Sequence, residues 1–295
     1  MEYFVLASVL LFSACATSPV AEPRCLPAAG FSRAELEALK AAEWQLPDDA
    51  RRNALARALA TCLGEGDPSL RDGIAFQALA HWLRARQLSD ETMLWLVDDL
   101  EARLAAPEGQ GFERPFAALA LSEVARADRI EAYMTPERRA RLLNASIAYF
   151  TSVRDYRGFD AREGWRHGVA HGADLLLQLG LNPAFGRPEL TRIRDALGTQ
   201  VAPDDHFYTY GEPERVARPI IYIAQRGVFN EAEWTEWFAQ FTVTGDNPYL
   251  SQAGLSRIHN IKAFFYAVLV GARLTSSETD DVLIAGAEAA YRALP

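Results

Sequence analysis

The feature that most constrains this chain is a grammar repeated along its length. A capping side chain is followed by roughly 12 to 20 residues whose apolar side chains recur at the helical period, then by a glycine or a polar break. Alternating, strand-like runs are nearly absent, so each segment has one apolar stripe to bury, and only another helix is there to cover it. The pattern predicts helices at 32–44, 48–63, 68–86, 89–105, 113–126, 136–153, 164–180, 187–199, 212–226, 230–241, 256–272 and 277–293, about twelve in all. Helix-pair spacing near 40 residues predicts an all-α fold of stacked antiparallel pairs, a HEAT-like α-solenoid. The alternative arrangement of the same pairs is a closed α/α toroid.

Several helix starts carry their own mechanism. Ser32 to Glu35 is a capping box, and Phe31 with Leu36 has the spacing of a hydrophobic staple. Asp67-Pro68 and Thr135-Pro136 place a capping side chain before a proline at the first helical position, and Asn230 to Glu233 is a second capping box. Gly64 and Gly227 stand where left-handed C-caps belong. Pro219 lies inside a helical run, which predicts a kink or a late start there.

The first 30 residues read differently. An apolar run from Tyr3 to Phe12, far shorter than the ~20 residues of a spanning helix, leads to small residues and Cys15. Met1-Glu2 supplies none of the usual basic residues of a leader. Leu11-Phe12-Ser13-Ala14-Cys15 resembles the bacterial lipobox, with Phe12 where leucine is usual; Ala14-Cys15-Ala16 also satisfies the rule for ordinary signal peptidase. The expectation is a signal peptide at 1–14, lipidated Cys15, a proline-rich tether at 15–30, and one helical-repeat domain over 31–295. The protein is then exported, periplasmic and attached to a membrane only through lipid. Cys25 and Cys62 remain as an even pair in an oxidising compartment, which permits a disulfide or two thiols.

The net charge of -9 is spread along the chain with no basic run, which argues against nucleic acid as a partner. No glycine-rich phosphate loop, cysteine-rich metal site or nucleophile elbow occurs.

Three stretches carry a family likeness. They are Asp67-Pro68-Ser69-Leu70-Arg71-Asp72; Arg154 to Phe159 running into Gly164-Trp165-Arg166-His167-Gly168-Val169-Ala170-His171-Gly172-Ala173-Asp174; and Tyr208 through Gly211-Glu212-Pro213-Glu214-Arg215-Val216-Ala217-Arg218. Together they resemble the bacterial domain-of-unknown-function family 2785, over about residues 50 to 241. The resemblance implies a helical, HEAT-like fold with a pocket, and it brings no established reaction.

The candidate chemistry centres on the second stretch. On a helix, His167, His171 and Asp174 at i, i+4 and i+7 fall within an arc of about 60°. Two imidazoles sharing one face suit a divalent metal, a metal-free ligand or acid-base role, or a hydrogen-bonded packing pair; Asp174, about 10 Å up the axis, is better placed to orient His171 than to complete one coordination shell. Gly164, Gly168 and Gly172 make a stripe that lets another backbone approach. No glutamate follows His167, so this is not a zinc-protease helix. Asp155, Arg157 and Asp160 occupy the loop before this helix, and Trp165 stands at its first turn. Tyr208, Tyr210, Glu212, Arg215 and Arg218 form a third cluster, where Glu212 can cap its own helix and Arg215 can pair with Asp72 or Asp174. Trp234, Trp237, Phe264, Phe265 and Tyr266 are expected to pack.

The leading expectation is a lipoprotein scaffold that binds a small molecule, a glycan or an envelope protein through a face carrying Asp72, Trp165, His167, His171, Asp174, Glu212, Arg215 and Arg218. The competing one is a toroidal carbohydrate-active enzyme, a lyase or hydrolase, with Tyr208 or Tyr210 as proton donor and His171 as base. The third is a structural spacer without a pocket.

Overall fold

The computed structural model describes residues 25–26, 30–203, 205–243, 247–275, 277 and 279–295. The expected leader, Cys15 and most of the tether lie outside those residues.

The described chain is all-α apart from one short hairpin. Its elements are α1 (Arg33–Ala41), α2 (Asp49–Ala60) with a 3-10 turn at Thr61–Gly64, and α3 (Pro68–Leu70), which passes through a π turn at Arg71–Phe76 into α4 (Gln77–Arg84). Then come α5 (Asp90–Leu104), α6 (Glu113–Ile130), α7 (Pro136–Ser152), the strands β1 (Phe159–Asp160) and β2 (Gly164–Trp165), and α8 (Gly168–Gly180). The chain continues with α9 (Arg187–Gly198), α10 (Glu212–Ala224), α11 (Glu231–Ala239), α12 (Gln252–Thr275) and α13 (Asp280–Arg292).

The start signals act as the sequence implies. Ser32 and Asn230 both make full capping boxes, and Asp67 and Thr135 accept backbone amides ahead of their prolines. Gly227 adopts the left-handed conformation with φ +65°. Gly64 does not; it lies in the 3-10 turn, where a methyl group would sit 3.3 Å from Glu113 Cβ, so close packing on α6 explains it better than a C-cap. Helix α10 continues through Pro219 rather than starting after it.

The packing is that of two stacked rows. Helices α4, α6, α8, α10 and α12 touch in succession to form one row; in the other, α2 packs on α5, α5 on α7, α7 on α9, and α11 on α13. Consecutive helices α5 and α6, α7 and α8, α9 and α10, and α12 and α13 join the rows as adjacent pairs. Each pair buries its stripe against the next, which is the order of a repeat array, and one apolar cluster runs from Cys25 to Ala287. Trp234, Trp237, Phe264 and Phe265 are core residues, whereas Tyr266 is 52% exposed and does not pack as expected. Cys25 and Cys62 form a disulfide that fastens the start of the described chain to the 3-10 turn. Among the described residues, no helix is long and apolar enough to cross a membrane.

Buried polar groups between the rows are satisfied by design of the loops. Asp128, at the end of α6, accepts two bonds from Arg139, one from Asn182 and the backbone amides of Tyr133 and Met134. Burial alone would raise its carboxyl, but these donors outweigh burial and hold it below the ordinary range.

Candidate functional site

The two-row order brings the starts of α6, α8 and α10 together at one edge, beside the π turn that follows α3. The hairpin of β1 and β2 lies across that junction. Its local folding corrects one expectation: the helix does not begin at residue 164. The amide of Arg166 donates to Gly158 O at 3.0 Å and that of His167 to Arg157 O at 3.1 Å, drawing this segment into the hairpin before α8 can start. Gly164 has φ +74° and lies against Pro68, Arg71 and Asp72, so it is not part of a helical glycine stripe. Gly168 and Gly172 remain on α8, facing Tyr149 and Phe150 of α7.

His167 is therefore the N-cap of α8, in the left-handed conformation with φ 59° and ψ 39°. A β-carbon makes that conformation costly, and such residues concentrate where function constrains the chain. The two imidazoles still meet, with ring centroids 5.7 Å apart. Both are almost fully buried, at 6% and 7% exposure.

His171 Nδ1 lies 3.2 Å from Pro115 O. A carbonyl only accepts, so in the neutral ring Nδ1 carries the proton and Nε2 keeps a free lone pair. Pro115, at the start of α6, thus orients His171, not Asp174 as the spacing implied. His167 Nδ1 is buried and has no hydrogen-bond partner. Burial, and secondarily the charge of Arg215, lowers the His167 pKa to about 4; burial, the neighbouring His167 and Arg215 hold His171 well below its ordinary value. At neutral pH the pair is uncharged.

Asp174 is tied to Arg215 through both carboxylate oxygens, with Arg215 Nε at 2.9 Å from Oδ1. Of the two partners expected for Arg215, the structure selects Asp174. Asp72 instead accepts Arg71 Nε at 2.7 Å and the Trp165 amide; burial raises its carboxyl against the lowering effect of Arg71. It sits in the π turn, a deformation that recurs at functional sites.

Trp165 packs edge-on against His167 at 4.7 Å and against Tyr210 at 6.0 Å, and remains 38% exposed. Tyr210 Oη donates to Phe159 O at 3.4 Å. The cover over the histidines is thus aromatic and half-exposed, rather than a sealed aliphatic layer.

Three expected members stand elsewhere. Tyr208 is buried and donates its hydroxyl to Gln200 O at 3.0 Å, so that group is engaged in the core; burial raises its pKa further, which makes it a poor proton donor. Glu212 is buried at the start of α10 and accepts the Tyr210 amide at 2.9 Å, fastening the loop ahead of the helix; burial raises its carboxyl. Arg218 lines a separate apolar groove with Glu214, Ile221, Tyr266 and Val270.

Two arginines were missed as participants. Arg71 is fully buried, donates to Glu65 O and Glu163 O at 2.8 and 2.7 Å, and stacks on Phe112 at 4.0 Å. Arg166 stacks on the same ring at 4.2 Å and bonds Gln110 O and Glu163 Oε2. They form the floor that fixes the hairpin. Both lie inside the family stretches, but nothing local in sequence separates an arginine on a ring from one in solvent.

Among the described residues, no group of three or more His, Cys, Asp or Glu side chains is arranged to hold a metal ion. His167 and His171 offer two imidazole nitrogens, and any further positions on an ion would have to come from water or ligand.

The arrangement defines a class: an all-α array of stacked helix pairs that carries a histidine-bearing hairpin junction on one edge. The family model described as "Protein of unknown function (DUF2785)" matches residues 102–270, more than half of the chain, and the chain belongs to that family. The match takes in the hairpin, both histidines, Asp174 and Arg215, and begins after Asp72. No curated protein matches the sequence. A crystal structure of an engineered protein is similar over 91% of this chain and 82% of its own, at 16% identity and a TM-score of 0.28, a likeness too loose to carry an argument.

Proposed function

We propose that this protein is an exported, lipid-anchored scaffold that binds a ligand at the edge formed by Asp72, Trp165, His167, His171, Asp174 and Arg215. The observation that carries the reading is His167: a left-handed backbone, a buried ring nitrogen without a partner, and a depressed pKa coincide in one residue beside a second neutral imidazole. Each is unfavourable for folding, and their coincidence is expected where a ligand supplies what the chain lacks.

Binding is favoured over the carbohydrate-enzyme alternative because, of its two candidate proton donors, Tyr208 has its hydroxyl bonded in the core and Tyr210 donates its own to Phe159 O. A catalytic variant of the site retains His171 Nε2 as base and Asp72, whose carboxyl is raised by burial, as acid. The anchor rests on Cys15, outside the described residues.

Two measurements test the proposal. Thermal-shift screening of small molecules and glycans should find a ligand that raises the melting temperature of the wild type and not of His171→Ala; a ligand stabilising both equally places binding elsewhere. Detergent phase partitioning of the full chain expressed in a bacterium should send wild type to the detergent phase and Cys15→Ser to the aqueous phase, and equal partitioning refutes the anchor.

A further inference from the structure

Beside the hairpin, with neither His167 nor His171 in its lining, lies a cleft of about 660 Å³, lined by Arg154 to Asp160, Glu163, Arg166, His206, Thr209 and Tyr210. Its volume is within the range of small-molecule sites. We infer that this cleft binds a neutral saccharide.

The inference follows from how charge and shape combine there. Three arginines and three carboxylates line the cleft, so their formal charges cancel. Asp155 is held by Arg157 through both oxygens, and Glu163 by Arg166. An ion drawn to either pair would have to break it to gain a counter-charge, while Arg154, bonded to the carbonyls of Thr151 and Val153, and Asp160, bonded to the amides of Arg162 and Glu163, offset each other in formal charge. What remains open is directional: spare carboxylate lone pairs, spare guanidinium N–H groups and the hydroxyl of Thr209. A polyhydroxylated, uncharged ligand matches that inventory, because each hydroxyl both donates to a carboxylate and accepts from a guanidinium.

Aromatic surface completes the match. Phe159 is 49% and Tyr210 41% exposed, and both rings line the cleft. The face of a pyranose, lined by C–H groups, covers such rings without stranding a polar group. Within the cleft His206 stacks on Tyr156 at 4.9 Å, and its buried Nε2 lacks a hydrogen-bond partner. Burial lowers its pKa, so the ring adds no charge to the cleft at neutral pH. Gly158 makes room for one of these rings: a β-carbon there would lie 2.0 Å from the Tyr210 ring.

This deepens the proposed binding function and rests on the reading that the hairpin edge is the binding face. The test is a glycan array carrying neutral and uronate-bearing oligosaccharides, probed with the full-length chain, Phe159→Ala/Tyr210→Ala, Tyr210→Phe and His167→Gly, each checked for native circular dichroism. The expected result is retention on neutral glycans, reduced at least tenfold in the double alanine variant and kept by Tyr210→Phe, which retains the ring. Retention on acidic glycans alone, on no glycan, or undiminished in the double variant overturns the inference. Retention lost in His167→Gly but untouched in the double variant overturns the cleft while leaving the histidine face standing.

Discussion

Replacing His167 by glycine separates a residue kept for binding from one kept for packing. Glycine adopts the observed φ of 59° without strain, which relieves about 1–2 kcal/mol. Removing the ring also removes a buried, unpartnered nitrogen, whose desolvation costs about 1–3 kcal/mol. Against this, the lost burial of the ring costs about 2 kcal/mol, its edge contact with Trp165 about 1 kcal/mol, and the greater freedom of glycine in the unfolded chain about 0.5–1 kcal/mol. The two sides nearly cancel, so His167→Gly should fall within about 1 kcal/mol of wild type. A histidine free of that backbone strain and with its ring nitrogen satisfied loses the second group of interactions with no compensating relief, a deficit of about 3–4 kcal/mol. Urea denaturation with the disulfide intact distinguishes these outcomes. Leu176→Ala, at a fully buried position of the same helix, supplies the scale for an ordinary core truncation, about 2–5 kcal/mol. A His167→Gly loss comparable to that of Leu176→Ala, with an unchanged denaturant slope, would refute the reasoning.

The same histidine governs a pH window. Its folded pKa of about 4 lies below the unfolded value, so its stability contribution is complete above about pH 6.5 and lost as pH falls toward 4, about 3 kcal/mol in all; urea midpoints across pH 4–7 should show a drop that is shallower in His167→Gly. Arg215→Gln removes a cation that depresses both imidazoles while keeping a hydrogen bond toward Asp174, so histidine resonances in an NMR titration should move to higher pKa in both residues; no change would place Arg215 outside their field. Cys62→Ser opens a loop of 37 residues and should lower stability by about 4 kcal/mol on loop-closure entropy, and a loss below about 1 kcal/mol in urea denaturation would mean that the bridge constrains little.

Much of the fold was legible because helix signals are local. Caps at Ser32, Asp67, Thr135 and Asn230, together with apolar periodicity, located helix starts to within a residue or two. The failure at 164–168 has a physical reason: two backbone bonds from residues 166 and 167 to residues 157 and 158 compete with the first helical turn, and no side-chain pattern encodes that competition. The histidine pair was legible because i and i+4 stay close even when the first member is a cap, as His171 N still bonds His167 O at 3.0 Å. Pairings across elements were less so: Arg215 with Asp174 and Cys25 with Cys62 were each one of two alternatives, and others were not foreseen. Pro115 on His171, and Arg71 with Arg166 on Phe112, depend on which helix starts share an edge, and that follows from the row order rather than from any local spacing.

The charges around the pair bear on which ligands it suits. Arg215 depresses both imidazoles, and Arg71 adds to the effect on His171, so two fixed cations act on the volume in front of Nε2. Their nearest carboxylates, Asp174 and Asp72, are already bonded to them. A divalent cation entering there would meet the repulsion that adds to burial in keeping the imidazoles neutral, weakening its binding relative to two isolated histidines. A hydroxyl or other dipole suffers no such penalty: it donates to His171 Nε2 and leaves both ion pairs intact. The balance of charge therefore favours an uncharged polar group at the histidines, the same chemistry that the neighbouring cleft is built to receive, and one extended ligand crossing the hairpin would satisfy both.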